Sequence, residues 1–289
     1  MYRNELLYVL CGLLMFVFSA VSQDAEKEKE KPKLGWHNEV IGGLNLTQAA
    51  FDNWAQGGEN NIAWQLNLNA KSVLEQQKYS WTNTGKLAFG KSKIGDQESR
   101  KSVDEIRLET VYTYKLNLYV NPYASAYGET QLAKGYKYTD TTQIAISNFF
   151  DPAYFVQSIG LGYSHKEIIK TRLGAALKET LADNYALIYS DDPETTADIE
   201  KSRVELGAES VTDLSVKLAQ NMLFTSRLEL FSAFDAFNQT DVRWDNIIAA
   251  KVAKYVEVNF NLRLLYDRDI SIQRQLKQAL AVGLTYTFL

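Results

Sequence analysis

The last stretch of the chain, Leu280-Ala-Val-Gly-Leu-Thr-Tyr-Thr-Phe-Leu289, alternates large apolar side chains with small or hydroxyl-bearing ones. Successive side chains of a β-strand point to opposite faces, so one face of this strand is apolar and the other is small or polar. The preceding segment, 256–267, shows the same alternation. Strands of about ten residues exceed the five or six usual in soluble sheets and are long enough to cross a tilted bilayer path. The stretch therefore predicts a membrane-spanning strand.

The amino terminus has the plan of a secretory signal peptide. Arg3 precedes an apolar run over 6–20, and the small residues Ala20 and Ser22 occupy the two positions that a signal peptidase checks, so residues 1–22 are predicted to be removed by cleavage after Ser22. A single transmembrane anchor is the alternative, although the run is short of the ~20 residues a spanning helix needs. A lipoprotein signal fits less well, because Cys11 follows a bulky leucine. The mature chain would then contain no cysteine, which excludes disulfides.

The next segment, 23–33, is predicted to be a flexible charged linker on the periplasmic side. Between Asp24 and Lys33 it contains no apolar residue larger than alanine, so it buries too little surface to offset its ordering entropy. Its alternating Glu and Lys residues could instead form a short helix that Pro32 would end. The remainder, 34–289, is predicted to be a single domain.

The composition favours a membrane barrel over other classes. Of the chain, 46% is hydrophobic, with 17 Tyr, 13 Phe and 5 Trp, yet no apolar run of helix-spanning length follows the predicted signal. Scattered aromatic residues with alternation are typical of barrels, because only half of their strand residues face lipid. The formal net charge of -4 offers no basic face, so we expect no nucleic-acid partner.

Alternating segments divide this domain into about twelve strands, an even number as single-chain bacterial barrels have. The predicted strands are 34–47, 62–71, 79–90, 105–116, 118–131, 154–164, 168–180, 202–218, 221–234, 242–253, 256–267 and 280–289. Long polar loops alternate with short turns, which predicts long loops outside and both termini in the periplasm. The predicted fold class is all-β: a closed antiparallel transmembrane β-barrel in the cell outer membrane.

Several motifs add a resemblance to this prediction. Leu44-Asn-Leu-Thr-Gln48 followed by Trp54-Ala-Gln-Gly-Gly-Glu-Asn-Asn61 resembles the amino-terminal signature of an outer-membrane family, the domain of unknown function DUF 3078. The segments 151–163 and 227–234 are similar to that family and to the salt-induced outer-membrane protein family. The resemblance covers nearly all of the mature chain. It implies a barrel of Gram-negative type and brings no known substrate, activity or functional residue.

Charged residues recur on the strand faces predicted to point inward. They are Glu105, Arg107, Glu109, Lys115, Arg172, Arg203, Glu205, Arg227, Glu229, Arg243, Asp245, Glu257, Arg263 and Asp267. One interpretation is a polar lumen that conducts small solutes, with these charges setting selectivity. The other is a ladder of cross-lumen ion pairs that holds a narrow barrel shut. We favour the second for most of these residues, because Arg and Glu are nearly balanced on adjacent strands.

The loop 51–61 is a second candidate site. Its motif residues are Trp54, Gly57, Gly58, Glu59, Asn60 and Asn61. Trp54 could stack on a sugar or peptide while the polar residues bind it, but a folded rim structure explains the loop more simply. Similarly, Asp191, Asp192 and Glu194 could supply oxygen ligands to calcium, although a solvated acidic loop is the simpler interpretation.

Catalysis is not predicted. Barrel enzymes that act on lipid pair a histidine with a serine, and this chain has only His37 and His165. Ser164 is adjacent to His165, so on a strand the two side chains point to opposite faces. No metal-ligand spacing or phosphate-binding glycine loop occurs, so we expect no metal and no cofactor.

Three functions stay open at this point. The first is a monomeric outer-membrane barrel, in contact with lipid, acting as a small-solute channel or an accessory component. The second is a plugged structural or binding barrel that recognises a partner through its long loops 132–152 and 183–201. The third, a lipid-acting hydrolase, has the least support.

Overall fold

The computed structural model describes residues 33–289 except positions 53–54, 56–57, 140–141, 167, 193–197, 238, 269 and 272. The predicted signal peptide and all of the predicted linker except Lys33 lie outside the described residues. The domain boundaries proposed there stay predictions.

Twelve long strands form the barrel, and each is antiparallel to both neighbours. The strands are β1 (Gly35–Ala49), β2 (Asn61–Glu75), β3 (Tyr79–Ile94), β4 (Arg100–Tyr114), β5 (Val120–Thr130), β6 (Gly135–Tyr138), β7 (Gln143–Ser147), β8 (Ala153–His165), β9 (Ile169–Leu181), β10 (Ser202–Ala219), β11 (Met222–Ala233), β12 (Thr240–Lys251), β13 (Val256–Tyr266) and β14 (Gln275–Thr287). β6 and β7 form a separate hairpin, and one short helix, α1 (Ala186–Tyr189), follows β9. Around the barrel the order is β1-β14-β13-β12-β11-β10-β9-β8-β5-β4-β3-β2, and the pairing of β1 with β14 closes it. The predicted fold class is confirmed.

The connections divide the barrel into two different ends. At one end, called the short-turn end, tight turns join β2 to β3, β4 to β5, β8 to β9, β10 to β11 and β12 to β13. The first residue of β1 and the last of β14 also lie at this end. At the other, the long-loop end, the connections are longer and contain the β6–β7 hairpin and α1. The assignment of the short-turn end to the periplasm stays a prediction.

The outer surface is apolar, as the alternation predicts. On β14 the outward side chains Leu276, Leu280, Val282 and Leu284 are 54% to 69% exposed. So much exposed apolar surface is unfavourable in water and favourable in lipid. The outward strand faces therefore form the membrane-spanning surface. Among the described residues, no helix is long and apolar enough to cross a membrane.

Aromatic side chains gather at the short-turn end. Five pairs of rings lie there at centroid distances from 4.9 to 6.3 Å: Trp36 with Trp81, Tyr79 with Tyr112, Tyr119 with Tyr163, Tyr255 with Tyr286, and Tyr286 with Phe288. Amphipathic rings prefer the membrane–water interface, so this ring of side chains marks the level of one interface.

The structure differs from the sequence prediction at the long-loop end. β14 begins at Gln275 rather than Leu280, because the strand continues with polar residues beyond the apolar alternation. β3 and β4 likewise reach Ile94 and Arg100, which shortens the predicted loop 91–101. The predicted loop 132–152 folds into the β6–β7 hairpin, whose strands are too short to show a clear alternation.

We predict that Leu280→Arg lowers the free energy of unfolding of the barrel in lipid vesicles by about 2–4 kcal/mol. The substitution places a charge against hydrocarbon near the middle of β14. Ala281→Arg is the matched control, since the neighbouring side chain points into the lumen and should cost clearly less. Urea titration monitored by tryptophan fluorescence measures both. Equal losses would contradict the assignment of faces.

Candidate functional site

The lumen is dominated by charged side chains at alternate positions of β4. Glu105 and Arg107 are buried, at 5% and 8% exposed, and Glu109 is half-buried. In the register of the sheet, Lys86 of β3 faces Arg107, and Arg107 faces Glu129 of β5. These inward charges are buried because side chains from the opposite wall meet them.

Two arginine–carboxylate pairs cross the lumen. Arg107 donates two hydrogen bonds to Glu229 of β11, at 3.1 and 2.6 Å. Arg227 of β11 donates to both carboxylate oxygens of Glu109, at 2.8 and 2.9 Å. Four strands separate β4 from β11 around the barrel, so these bonds cross the lumen. The two parallel bonds between Arg107 and Glu229 add geometric specificity to the charge attraction, whereas Arg227 reaches both oxygens of Glu109 from one nitrogen, Nη2.

Glu105 is a second meeting point on β4. Its carboxylate accepts hydrogen bonds from Arg243 of β12 at 2.9 Å and from Arg263 of β13 at 3.0 Å. Lys86 completes the group at 3.1 Å. Four charged groups from four strands therefore converge at one point in the lumen.

The remaining members extend this network on both sides. Arg243 also donates to Glu129 at 2.5 Å, Arg172 of β9 donates to Glu109 at 2.6 Å, and Arg263 pairs with Asp245. We call the whole set the cross-lumen lattice. It contains Glu105, Arg107, Glu109, Glu129, Arg172, Arg227, Glu229, Arg243, Asp245 and Arg263. Its five arginines and five carboxylates balance in charge.

Two tyrosines of β5 fill space beside the lattice. The guanidinium carbon of Arg107 lies 4.1 Å from the ring centroid of Tyr127, and that of Arg172 lies 5.6 Å from the ring of Tyr123. Such cation–π contacts add to the ion pairs. Sequence reasoning placed both tyrosines on this strand without assigning them to the lumen, and it missed Glu129. Continuing the alternation from Tyr123 to Glu129 would have identified all three as inward residues.

A second charged group lies nearer the long-loop end. Lys178 of β9 is 2.6 Å from Asp241 and 3.5 Å from both Glu205 and Asp267. Arg203 also reaches Glu205, at 3.5 Å. These residues surround one lysine with three carboxylates from β10, β12 and the end of β13.

The predicted inward charges thus fall into three groups. Nine belong to the cross-lumen lattice: Glu105, Arg107, Glu109, Arg172, Arg227, Glu229, Arg243, Asp245 and Arg263. Three, Arg203, Glu205 and Asp267, belong to the group around Lys178. Glu257 faces Lys251 at the short-turn end. Lys115 was placed on a strand, but it follows the end of β4 and binds Glu75 and the carbonyl oxygen of Gln76, across the short-turn end.

A cavity of about 330 Å³ lies between the lattice and the wall formed by β1, β2 and β3. Glu39, Asn69, Lys71 and Lys86 line it together with lattice residues. Those positions lie in the halves of β1, β2 and β3 nearer the short turns. The cavity presents charges of both signs and amide groups, which suits a zwitterionic or uncharged polar group.

The described part of the loop 51–61 is folded against its neighbours. The side-chain oxygen of Asn60 accepts from the amide of Phe51 at 2.6 Å, and its carbonyl accepts from the amide of Gly95 at 2.7 Å. Glu59 lies over Gly95, Gly58 packs against the ring of Phe51, and Asn61 begins β2. These contacts favour a rim structure. Trp54 and Gly57 lie outside the described residues.

The other candidate groups show no catalytic or metal-binding geometry in the described part of the chain. His37 is 2.6 Å from the carbonyl oxygen of Lys33, and the ring of His165 stacks on Tyr119 at 6.0 Å. Asp191 accepts a hydrogen bond from the amide of Glu200, and Glu194 lies outside the described residues. No group of three metal-ligating side chains occurs among the residues that the structure describes.

One carboxylate organises the long-loop end. Asp151, 5% exposed, accepts hydrogen bonds from the backbone amides of Asp183 and Asn184 at 2.9 Å each and from the Asn184 side chain at 3.2 Å. Burial raises the pKa of Asp151, but these hydrogen bonds outweigh it and hold the pKa below the ordinary value. The segment after β9 is therefore tied to the start of β8.

The closed sheet, its apolar outer surface and its polar interior define an outer-membrane β-barrel. The profile of a family described as "Protein of unknown function (DUF3078)" matches residues 46–136. This match confirms the resemblance seen in the sequence over that range. The similarity of the later segments to the salt-induced outer-membrane protein family stays a prediction. No curated protein matches the chain significantly.

Solved structures similar to this chain include an autotransporter translocator domain, an outer membrane channel and a porin. The translocator domain of the autotransporter NalP from Neisseria meningitidis is 10% identical, with 96% of this chain and 97% of that chain covered and a TM-score of 0.41. The COG4313 outer membrane channel from Pseudomonas putida F1 is 12% identical, with 91% and 98% covered and a TM-score of 0.41. The NanC porin is 8% identical, with 87% and 100% covered and the same TM-score, 0.41. At this level of similarity we take no function from them.

We predict that Glu229→Gln lowers the free energy of unfolding in lipid vesicles by roughly 3–5 kcal/mol, because it leaves Arg107 and Arg227 without their shared carboxylate. Glu257→Gln, an inward carboxylate outside the lattice, is the matched control and should cost much less. Urea titration measures both variants. Equal destabilisation of the two variants would show that a lattice carboxylate contributes no more to stability than an inward carboxylate outside the lattice.

A second prediction concerns pH. Because the folded pKa of Asp151 is lowered, its stabilisation of the loop is fully present above the ordinary value of 3.8 and is lost as the pH falls through the folded pKa. At neutral pH, Asp151→Asn should speed hydrogen exchange in the peptide containing Asp183 and Asn184 about tenfold, as expected for losing a charged acceptor. After correction for intrinsic rates, the wild type should lose this protection only in acid. Asp235→Asn, in another loop, is the control; a wild-type-like result for Asp151→Asn would contradict the role of the carboxylate.

Proposed function

We propose that this outer-membrane barrel is closed at mid-height by the cross-lumen lattice and acts as a structural or binding barrel. The observation that carries the proposal is the double hydrogen bonding of Arg107 to Glu229 and of Arg227 to Glu109 across the lumen. A network that joins opposite walls occupies the space through which a solute would have to pass.

Opening the lattice is energetically unfavourable. Each arginine that moves away leaves a carboxylate uncompensated in a site of low dielectric, and breaking one such pair costs roughly 3–5 kcal/mol. The lattice members share partners, since Glu105 accepts from both Arg243 and Arg263. Moving one side chain therefore disturbs several bonds, which favours a closed resting state.

The long-loop end offers the surface for a partner in this proposal. The β6–β7 hairpin is held near the barrel, with Arg100 of β4 lying 4.4 Å from the ring centroid of Tyr138. Asp151 fixes the start of the connection between β9 and β10. The described parts of both long loops thus present defined shapes, as recognition requires. Pull-down from intact membranes, with and without 132–152, tests this part, and unchanged partners would oppose it.

A small-solute channel is the second candidate. The cavity of about 330 Å³ beside the lattice is the observation that favours it, because it offers a polar solute a space in the short-turn half of the lumen. Conduction would then require the lattice to rearrange.

Several further expectations belong to the same proposal. The protein is exported through a signal peptide cleaved after Ser22, its short-turn end faces the periplasm, and it is a monomer in contact with outer-membrane lipid. We propose no catalytic role for His37 or His165 and no cofactor or nucleic-acid partner. Unchanged membrane lipid composition after His37→Ala and His165→Ala would support the absence of lipid hydrolysis.

We predict that the purified wild-type barrel gives no current steps in planar bilayers, because the lattice closes the lumen. A variant that removes two pairs together, Arg107→Ser, Glu229→Ser, Arg227→Ser and Glu109→Ser, keeps the net charge and empties the centre. It should give defined steps.

The matched control is Lys251→Ser with Glu257→Ser, a facing pair at the short-turn end. It should stay silent, like the wild type. Heat-modifiable migration in gels establishes that each variant is folded. Wild-type steps as large as those of the four-residue variant would overturn the closed barrel and favour the channel.

A further inference from the structure

The two strands that close the barrel pair along only part of their length. Residues Ile41–Asn45 of β1 pair with residues 283–287 of β14. Towards the long-loop end both strands continue, β1 to Ala49 and β14 back to Gln275. The edge of each strand that faces away from the seam remains paired, since β2 pairs with β1 up to Ala49 and β13 pairs with β14 from Gln275. The seam between β1 and β14 is therefore unpaired in its long-loop half.

This unpaired half lies at the level of the apolar outer surface. The outward side chains beside it, Leu46, Leu280 and Val282, are 53%, 69% and 54% exposed. Unpaired backbone N–H and C=O groups facing hydrocarbon cost several kcal/mol each, and such backbone is tolerated where it lines a water-filled space. The unpaired edges must therefore be solvated from the lumen or by a polar ligand.

Small side chains line the seam from inside. Continuing the register of the paired half places Thr47 opposite Ala281. Ala281 and Ala279 face Asn259 and Asn261 of β13 and so point inward. Thr47, on the β1 side, faces Ala63 of β2. Small residues at these positions leave room for a group to pass between the lumen and the outside of the barrel.

The cavity beside the lattice is lined in part by β1, one of the two strands of the seam. None of the lattice residues belongs to β1, β2 or β14. The cavity lies on that same side and is lined by Glu39 and Asn69. Between the cavity and the seam the inward side chains are uncharged amides, Asn45, Gln65 and Asn67, of which Gln65 donates to Asn67 at 2.6 Å. The lattice closes the centre, and a polar wall leads from the cavity to the seam.

We propose that the unpaired half of the β1–β14 seam is a lateral portal for an amphiphile with one apolar tail and a zwitterionic head group. The head group is bound by the mixed charges of the cavity and moves along the amide wall. The tail extends between Leu46 and Val282 into the bilayer. This role goes beyond a closed barrel, because it needs no passage through the lattice.

The first test asks whether the seam is open. One double variant, Thr47→Cys with Ala281→Cys, places two cysteines in the unpaired half. The matched control, Gly43→Cys with Thr285→Cys, places two cysteines in the paired half. Cys11→Ser in every variant removes the only natural thiol. Disulfides require Cα atoms within about 7 Å, so mild oxidation should link the control at least ~10-fold more completely. A short bismaleimide should bridge the pair at 47 and 281. Equal disulfide yields would overturn the proposal.

The second test follows the amphiphile. The benzophenone amino acid p-benzoylphenylalanine replaces Asn67 on the inner wall, Leu68 on the lipid-facing surface or Ser125 of β5, on the inner wall away from the seam. Barrels in bilayers containing lysophosphatidylcholine are then illuminated, and lipid adducts are measured by mass spectrometry. We expect lipid adducts at positions 67 and 68, and at least about tenfold fewer adducts at position 125. The bismaleimide bridge should abolish adducts at 67 and leave those at 68 unchanged.

Adducts at 67 no more frequent than at 125, or unaffected by the bridge, would overturn the portal. These outcomes are separate from the current recordings, which test the closed lumen alone. A silent barrel with lipid adducts at 67 supports both proposals, and a conducting barrel with such adducts supports only the portal.

Discussion

The structure depends on the absence of hydrogen-bonding partners for the backbone in a bilayer. Hydrocarbon cannot satisfy an amide or a carbonyl, so each strand must be paired along both edges, and only a closed sheet achieves this. The ring of twelve strands meets that requirement, and the alternation of side chains follows from it, with leucine, valine and tyrosine outside and polar groups inside. In the long-loop half of the seam between β1 and β14 this requirement is relaxed.

Closure of the sheet also determines the chemistry of the lumen. In a narrow barrel, inward side chains of opposite walls come within contact distance, and charges in such a space are costly unless paired. The cross-lumen lattice solves this with five arginines, four of which contact more than one carboxylate. Arg243, for example, reaches Glu105 at 2.9 Å and Glu129 at 2.5 Å. Arginine suits this geometry because its planar group presents several fixed donors. The tyrosines of β5 fill the remaining space beneath it.

The lattice and the seam together make the interior asymmetric. The ion pairs of the lattice join β4, β5, β9, β11, β12 and β13 across the lumen, whereas the wall of β1, β2 and β14 carries mainly amides and small residues, with Glu39, Lys71 and Lys277 as charged members. The closed centre and the unpaired seam thus involve different strands of the barrel. At the long-loop end, Asp151 performs a comparable task for the loops, replacing missing backbone partners with one carboxylate.

The sequence by itself determined the strands, their number and which side chains face lipid, because alternation is a local property with a period of two residues. Leu280 to Leu284 and Ile62 to Leu68 show this most plainly. The near balance of arginine and glutamate also indicated ion pairing. Only the tertiary structure decided which charges meet, since Arg107 and Glu229 are 122 positions apart and their contact depends on how the sheet closes. The tertiary structure alone also decided the hydrogen bonds that Asp151 accepts, the early start of β14 and the unpaired seam. These features arise from the register between strands distant in the chain, which a local pattern of side chains does not specify.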